Sequence, residues 1–203
     1  MQLRTPFLAA TVAVVAGGTL MLGQQQAAEA PASARPALTR PAVAGRHGLV
    51  TSGHPIASSA GLQILIKGGN AFDAVAAVGA MAGLGEPEMN GIGGNGFMTV
   101  FHKATNTVWS VSMAGAAPKA LVPSEMTPET LNAGMKAGIV PGNLGGYLSA
   151  LERFGTMSVA EVFAPAIETA EQGYPIDPML AASIARGQKN LARYPTTAKI
   201  FLP

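Results

Sequence analysis

A chain of 203 residues is long enough for one sizeable domain with its own core, and at 48% hydrophobic and 12% charged it lies outside the composition of disordered proteins. Its net charge of +2 comes from Lys and Arg that are scattered along the chain, which gives no electrostatic case for a nucleic-acid partner. With no Cys, the chain has no disulfide, no thiolate metal site and no cysteine nucleophile.

Residues 1–30 have the make-up of a secretory signal. Arg4 is the one charge ahead of an apolar stretch from Phe7 to Leu22, and Ala28-Glu29-Ala30 matches a small-x-small cleavage site. An uncleaved anchor is the alternative, although the stretch is interrupted by Gly17-Gly18 and is short for a spanning helix. Residues 31–46, with Pro31, Pro36 and Pro41, have the composition of a flexible linker, so the folded part is expected over 47–203. No later segment is long and apolar enough to span a bilayer. The expected location is therefore secreted or periplasmic, with no stable membrane span after signal cleavage.

In the folded part, Gly48–Ser52 is a short strand candidate. His54-Pro55 opens a helix in which Ala57, Ala60 and Ile64 have helical spacing. Gly68-Gly69 ends it. Asn70 is an N-cap for the next helix, with Asp73 three positions on, and residues 71–84 are apolar on nearly every face, which predicts burial. Gly85 and Pro87 stop that helix. Phe97–Phe101 and Thr107–Val111 predict a β-hairpin turning at Lys103–Asn106. Residues 114–142 are mostly irregular, with a short helix near Pro128–Met135. Three further helices follow. One carries Leu144, Tyr147, Leu148, Leu151 and Phe154 on one face and ends at Gly155. The next opens on the capping box Ser158/Glu161 and ends at Gly173, and the last opens on Asp177-Pro178.

Between the buried helix and the hairpin lies Asn90-Gly91-Ile92-Gly93-Gly94-Asn95-Gly96-Phe97-Met98. A phosphate loop would end in Gly-Lys-Ser/Thr, which is absent. A dinucleotide site would need a strand before the glycines and a helix after them, and the order here is the reverse. The remaining reading is a corner that needs glycine for close backbone approach or for positive φ.

Around this loop, an ordered set of short motifs resembles the γ-glutamyltransferases. It comprises His54-Pro55, Ala60-Gly61, Gly68-Gly69-Asn70-Ala71 with Asp73-Ala74, Glu86-Pro87 and the glycine loop itself. It continues with Ala117-Pro118, Val140-Pro141-Gly142, Phe154-Gly155, Ala164-Pro165-Ala166 and Gly173-Tyr174-Pro175. The resemblance covers about residues 46–190. It implies an N-terminal-nucleophile hydrolase: an α+β fold in which helix layers flank two antiparallel sheets, an αββα sandwich. This chain would supply a helix-rich part with a β-hairpin near 97–111, and most sheet strands would lie downstream. It also implies a precursor that cleaves itself, so that the new N-terminal Thr of a small subunit becomes the nucleophile and its own amine the base. The implied reaction moves a γ-glutamyl group from glutathione or a related amide to water or an amino acid. The implied partners are a small peptide or amide substrate and the small subunit of the same precursor, with no cofactor and no metal.

Two departures from the family pattern bear on function. The nucleophilic Thr is not in this chain; Thr196-Thr197 is followed by Ala198 and lacks the motif's context, so the chain alone is expected to be inert. Family members also carry an Arg, shortly before the Ala-Pro dipeptide, that binds the α-carboxylate of the glutamyl donor. Counted back from Ala117-Pro118, that position is Ala114, and no charged residue lies between Lys103 and Lys119. Either another residue supplies the clamp or the substrate is a different amide or acyl compound. A non-catalytic exported interaction module is the remaining alternative. His47, His54 and His102 have no metal-ligand spacing. His54 is expected to start a helix, His102 to be solvated at a hairpin end, and Glu86 and Glu88 to form a capped bend. Asn90 and Asn95 are expected to shape the loop, and Trp109 and Tyr174 to fill packing space.

Helix faces apolar on this scale would be left uncovered in the isolated chain. Sedimentation of the chain expressed alone should show concentration-dependent association, whereas a monomer that melts cooperatively would overturn this expectation.

Overall fold

A computed structural model describes residues 43–203; the signal sequence expected at 1–30, and the expected linker up to residue 42, lie outside the described residues. In chain order the elements are α1 (Pro55–Ile66), α2 (Ala71–Gly85), β1 (Phe97–His102), β2 (Thr107–Ser112), α3 (Pro128–Asn132), α4 (Asn143–Phe154), α5 (Val159–Gln172), α6 (Pro178–Leu191) and α7 (Pro195–Phe201).

Helix α2 is the axle. Ala, Val, Met and Leu cover it on all sides, so no face is suited to water. Helix α1 lies along it through Ala57, Ala60 and Ile64, joined by α5 through Val162 and Ala166 and by α4 through Leu151. Small residues set the spacing: a Cβ on Gly61 would lie 2.9 Å from Val50 and 3.2 Å from the backbone oxygen of Ala74, and one on Gly79 would collide with the ring of Tyr147. Gly68, at φ 95°, turns the chain between α1 and α2 in a conformation that disfavours side chains.

The hairpin is antiparallel, with Phe97 opposite Ser112 and His102 opposite Thr107. Asn106, at φ 51°, makes the left-handed step in its turn. Met98 and Val100 point inward onto Met113 and Ala150, while Phe97 and Phe101 point outward. Trp109 does more than fill space: the Arg153 guanidinium lies 4.1 Å from its ring centroid. The protein is thus helix-rich α+β, as expected.

Three local expectations need correction. Residues 48–52 form no strand, because no second strand lies beside them among the described residues, and Val50 packs toward α1 instead. The helix near 128 is shorter than expected: it ends at Asn132 and is followed by a separate 3₁₀ turn at Met135–Ala137. Helix α7 was not expected. Its sequence has two β-branched Thr and its N-cap, Tyr194, makes no side-chain cap, so Pro195 at the first position and docking against α6 carry it.

Three helix ends meet at Asp73, which is fully buried. One carboxylate oxygen accepts from the Asn70 amide at 2.8 Å and the Thr156 hydroxyl at 2.7 Å; the other accepts from the amides of Thr156 at 3.0 Å and Met157 at 3.3 Å. Asn70 in turn caps α2 and donates to the Phe154 carbonyl at the end of α4, 2.7 Å away. Burial pushes the Asp73 carboxyl up, but the Thr156 hydroxyl and the amides of Asn70, Met157 and Thr156 outweigh that and hold it below the usual carboxylate range. A depressed folded value means that stability is present above an unfolded carboxyl's value of 3.8 and is lost as pH falls through the folded one. Asp73→Asn would turn an amide donor toward these donors. It should cost at least ~2 kcal/mol of unfolding free energy by denaturant titration at neutral pH, and the gap from the parent should shrink in acid. An equal gap at all pH values would refute the carboxylate's role.

Candidate functional site

Gly85 ends α2, and the chain turns through Glu86, whose carbonyl accepts the amides of both Met89 and Asn90 at 2.9 Å. Asn90 then ties the loop back onto α2, its side-chain amide donating to the Gly79 carbonyl at 3.0 Å. Gly94 N–H closes a tight turn onto the Gly91 carbonyl at 3.0 Å, and the Met113 amide meets the Gly96 carbonyl at 3.0 Å. Two more strands of chain complete the surround. The Val140 amide donates to Ala116 O at 3.0 Å, and the amides of Gly142 and Asn143 both converge on Gly94 O, at 3.1 and 3.2 Å.

Asn143 is the lock of this arrangement. It is 3% exposed. Its side-chain nitrogen donates to Asn90 Oδ1 at 3.2 Å and to the Gly91 carbonyl at 3.1 Å. Its Oδ1 is buried and has no partner among the described residues. The glycines fit around it: a Cβ on Gly94 would lie 3.0 Å from Asn143 Nδ2, and one on Gly96 would lie 3.3 Å from Oδ1. None of the glycines from 91 to 96 has positive φ. Of the two reasons the sequence allowed for glycine in this corner, close approach operates at Gly94 and Gly96, whereas a Cβ on Gly91 or Gly93 would meet open space.

The loop bounds a polar cleft of ≈ 430 Å³ lined by Glu88, Asn90, Gly91, Gly93, Asn95 and Asn143 among others, none of them a cation. Ala114 is exposed, one residue beyond Met113, on the segment that presses against 140–142; a Cβ on Gly142 would lie 2.7 Å from the Met113 carbonyl carbon. The position expected to hold a carboxylate-binding Arg therefore sits on a chain segment that flanks the loop, and it presents a methyl group.

The other sequence candidates have assignable structural partners. His54 Nδ1 accepts the Ile56 amide at 3.2 Å, and Nε2 lies 2.8 Å from Asp177 Oδ2. The first contact requires Nδ1 to be unprotonated, which puts the proton on Nε2 toward Asp177. Neither ring nitrogen is left for general-base work. The His54 hydrogen bond and the Leu180 and Met179 amides hold the Asp177 carboxyl below its usual range. Glu86 sits against Gly53, and Glu88 is exposed. His102 is less solvated than expected: it hydrogen-bonds Thr105 at 2.9 Å and lies among the rings of Phe72 and Phe154. The Tyr174 hydroxyl donates to the Leu84 carbonyl, capping the end of α2. Among the described residues no cluster of His, Asp or Glu could hold a metal. Thr196 and Thr197 lie within α7.

Sequence reasoning passed over Asn143. At the first position of an amphipathic helix after Pro-Gly, an Asn reads as an exposed cap, and only the folded glycine loop reveals what it holds. Asn143→Ala should lower stability by about 1 kcal/mol and speed hydrogen exchange at Gly94. Unchanged exchange there would contradict the locking role.

A family model described as gamma-glutamyltranspeptidase matches residues 57–203. The glutathione hydrolase proenzyme of Bacillus subtilis (strain 168) is 39% identical over 169 residues, covering 78% of this chain and 28% of that protein. The acylase ACY 1 proenzyme of Pseudomonas sp. (strain SE83) is 39% identical over 173 residues, covering 78% and 31%. Among solved structures, Helicobacter pylori gamma-glutamyltranspeptidase superposes with a TM-score of 0.75 at 29% identity, over 78% of this chain and 47% of that one. Cephalosporin acylase from Bacillus halodurans superposes with a TM-score of 0.70 at 30% identity, over 81% and 31%. The chain spans under a third of the length of these curated relatives.

Proposed function

The chain belongs to the gamma-glutamyltranspeptidase family, and from that premise we propose that it forms the leading part of an exported proenzyme that transfers acyl groups from amides to water or amino acids. The observation that carries this reading is the family match over 57–203, which includes the glycine loop and its lock at Asn143. The relatives named as proenzymes support a precursor that is processed into two subunits.

In the proposed mechanism, the hydroxyl of an N-terminal Thr on the small subunit attacks the amide carbonyl. The Thr amine takes the proton and returns it to the leaving amine, and water or an amino acid then releases the acyl group. This chain holds no group in those roles. Its contribution is the shaped polar cleft and the segment 113–116 beside it. The domain division carries over into this proposal: a signal at 1–30, a linker at 31–46 and the large-subunit part from 47 onward.

The substrate follows from Ala114. A guanidinium grips a carboxylate with paired, charge-assisted hydrogen bonds, and a methyl group makes none. We therefore favour an amide other than a standard γ-glutamyl donor, a reading that the resemblance to two acylases also supports. The 203-residue chain should hydrolyse neither a γ-glutamyl anilide nor an acyl-amide analogue. Joined to a Thr-led small subunit in its full-length proenzyme, it should cleave itself and release acyl-amide product faster than γ-glutamyl product. Ala114→Arg should raise the γ-glutamyl rate about tenfold or more, the value of one charge-assisted hydrogen bond. Strong γ-glutamyl release by the unaltered protein would rule out the changed substrate, and absence of self-cleavage would rule out the mechanism.

A further inference from the structure

Helix α6 carries Leu180, Ile184 and Leu191 along one face, at i, i+4 and i+11. The same stripe passes through i+7, and that residue is Gly187. A glycine inside a helix weakens it relative to alanine. Packing does not demand one here, since a Cβ at 187 would meet only Leu191, at an ordinary 3.6 Å. The missing side chain leaves a notch in the middle of an apolar face.

The surroundings enclose that notch. Helix α6 stops at Leu191, and after a short turn Pro195 starts α7, so that Thr197 and Phe201, one turn apart, form a facing wall. The segment after α3 closes a third side at Gly134, whose φ of 84° suits glycine. The result is a mainly apolar cavity of ≈ 450 Å³, within the range of small-ligand sites. It meets the glycine-loop cleft along a shared edge at Pro87 and Glu88.

One cation lines this cavity. Arg193 sits in the α6–α7 turn, its guanidinium 3.8 Å from Glu129 Oε1, which is too far for a hydrogen bond, and both side chains are more than half exposed. This is a loose, solvent-exposed ion pair, and among the described residues the guanidinium N–H groups donate no hydrogen bond, so a ligand carboxylate can displace Glu129 from the planar fork; the one anion in the lining, Glu88, lies at the edge shared with the glycine-loop cleft.

We propose that this pocket binds an aliphatic carboxylate, with the hydrocarbon tail in the notch at Gly187 and the carboxylate on Arg193. The inference stands apart from the acyl-transfer reading, because it needs neither the Thr nucleophile nor Ala114. Ligand-observed NMR titration with octanoate and with octan-1-ol, at a chain concentration below that at which sedimentation shows association, tests it. Octanoate should bind saturably. Binding should weaken about tenfold for the neutral alcohol and in Arg193→Gln, the size of a lost charge-assisted contact. It should vanish in Gly187→Leu, which fills the notch, with circular dichroism reporting that the helices persist. Arg193→Gln is a half-exposed surface change and keeps the test open if Gly187→Leu does not fold. Non-saturable octanoate binding, equal binding of the alcohol, or octanoate binding by folded Gly187→Leu equal to the parent's would overturn the assignment.

Discussion

A buried carboxylate that no cation among the described residues neutralises governs how the helices of this protein meet. Taking Asp73 out of water is expensive, and among the described residues its compensation is entirely hydrogen bonds: the amide of the residue that caps its own helix, and a hydroxyl and two amides from the turn between α4 and α5. The positive end of the α2 dipole adds to them. Such an arrangement tolerates little displacement, because each lost donor leaves charge uncovered. Gly155 shows how tight it is, since a Cβ there would lie 2.8 Å from Asp73 Oδ1. The polar joint sets the relative positions of α2, α4 and α5, and the small residues on their faces fill in around it.

From that joint the geometry reaches the candidate site in two steps. The turn that follows α4 is held by Asp73, so the helix is anchored at its C-terminal end. Asn143, at the first position of the same helix, locks the glycine loop. Helix α4 therefore connects the core to the cleft as a rigid element, and Tyr147, midway along it, rests in the space left by Gly79 of α2. A loop positioned in this way is a fixed surface, and preorganisation of that kind is what the acyl-transfer reading proposed above requires of groups that do no bond-making themselves. The buried, unpartnered Oδ1 of Asn143 is the one feature of the lock that its internal hydrogen bonds do not account for.

Much of this was legible from the residues. Asn70 and Asp73, Ser158 and Glu161, and Asp177-Pro178 announce helix starts by local chemistry that needs no tertiary partner, and each start was observed. The hairpin followed from two runs of β-forming residues on either side of the turn at Lys103–Asn106. The failures have the opposite character. Gly48–Ser52 had strand composition, but a strand exists only with a partner beside it. Helix α7 had poor helix composition and forms by docking. Asp73 is legible in the sequence only as an acidic residue three positions after the N-cap Asn70; the structure makes the pair a capping box, while the bonds of Asp73 to Thr156 and Met157 span more than eighty residues and leave no local trace.

The sequence by itself therefore determined the family, the capped helix starts at Asn70, Ser158 and Asp177, the order of elements around the glycine loop and the absence of a cation at position 114, because all of these are written in short-range patterns. Tertiary structure alone decided why the loop needs glycine, that Asn143 rather than Asn95 is its lock, that both nitrogens of His54 are occupied, and that Gly187 opens a pocket. Each of these depends on atoms brought together from distant parts of the chain, and the distance along the chain is what a local pattern cannot encode.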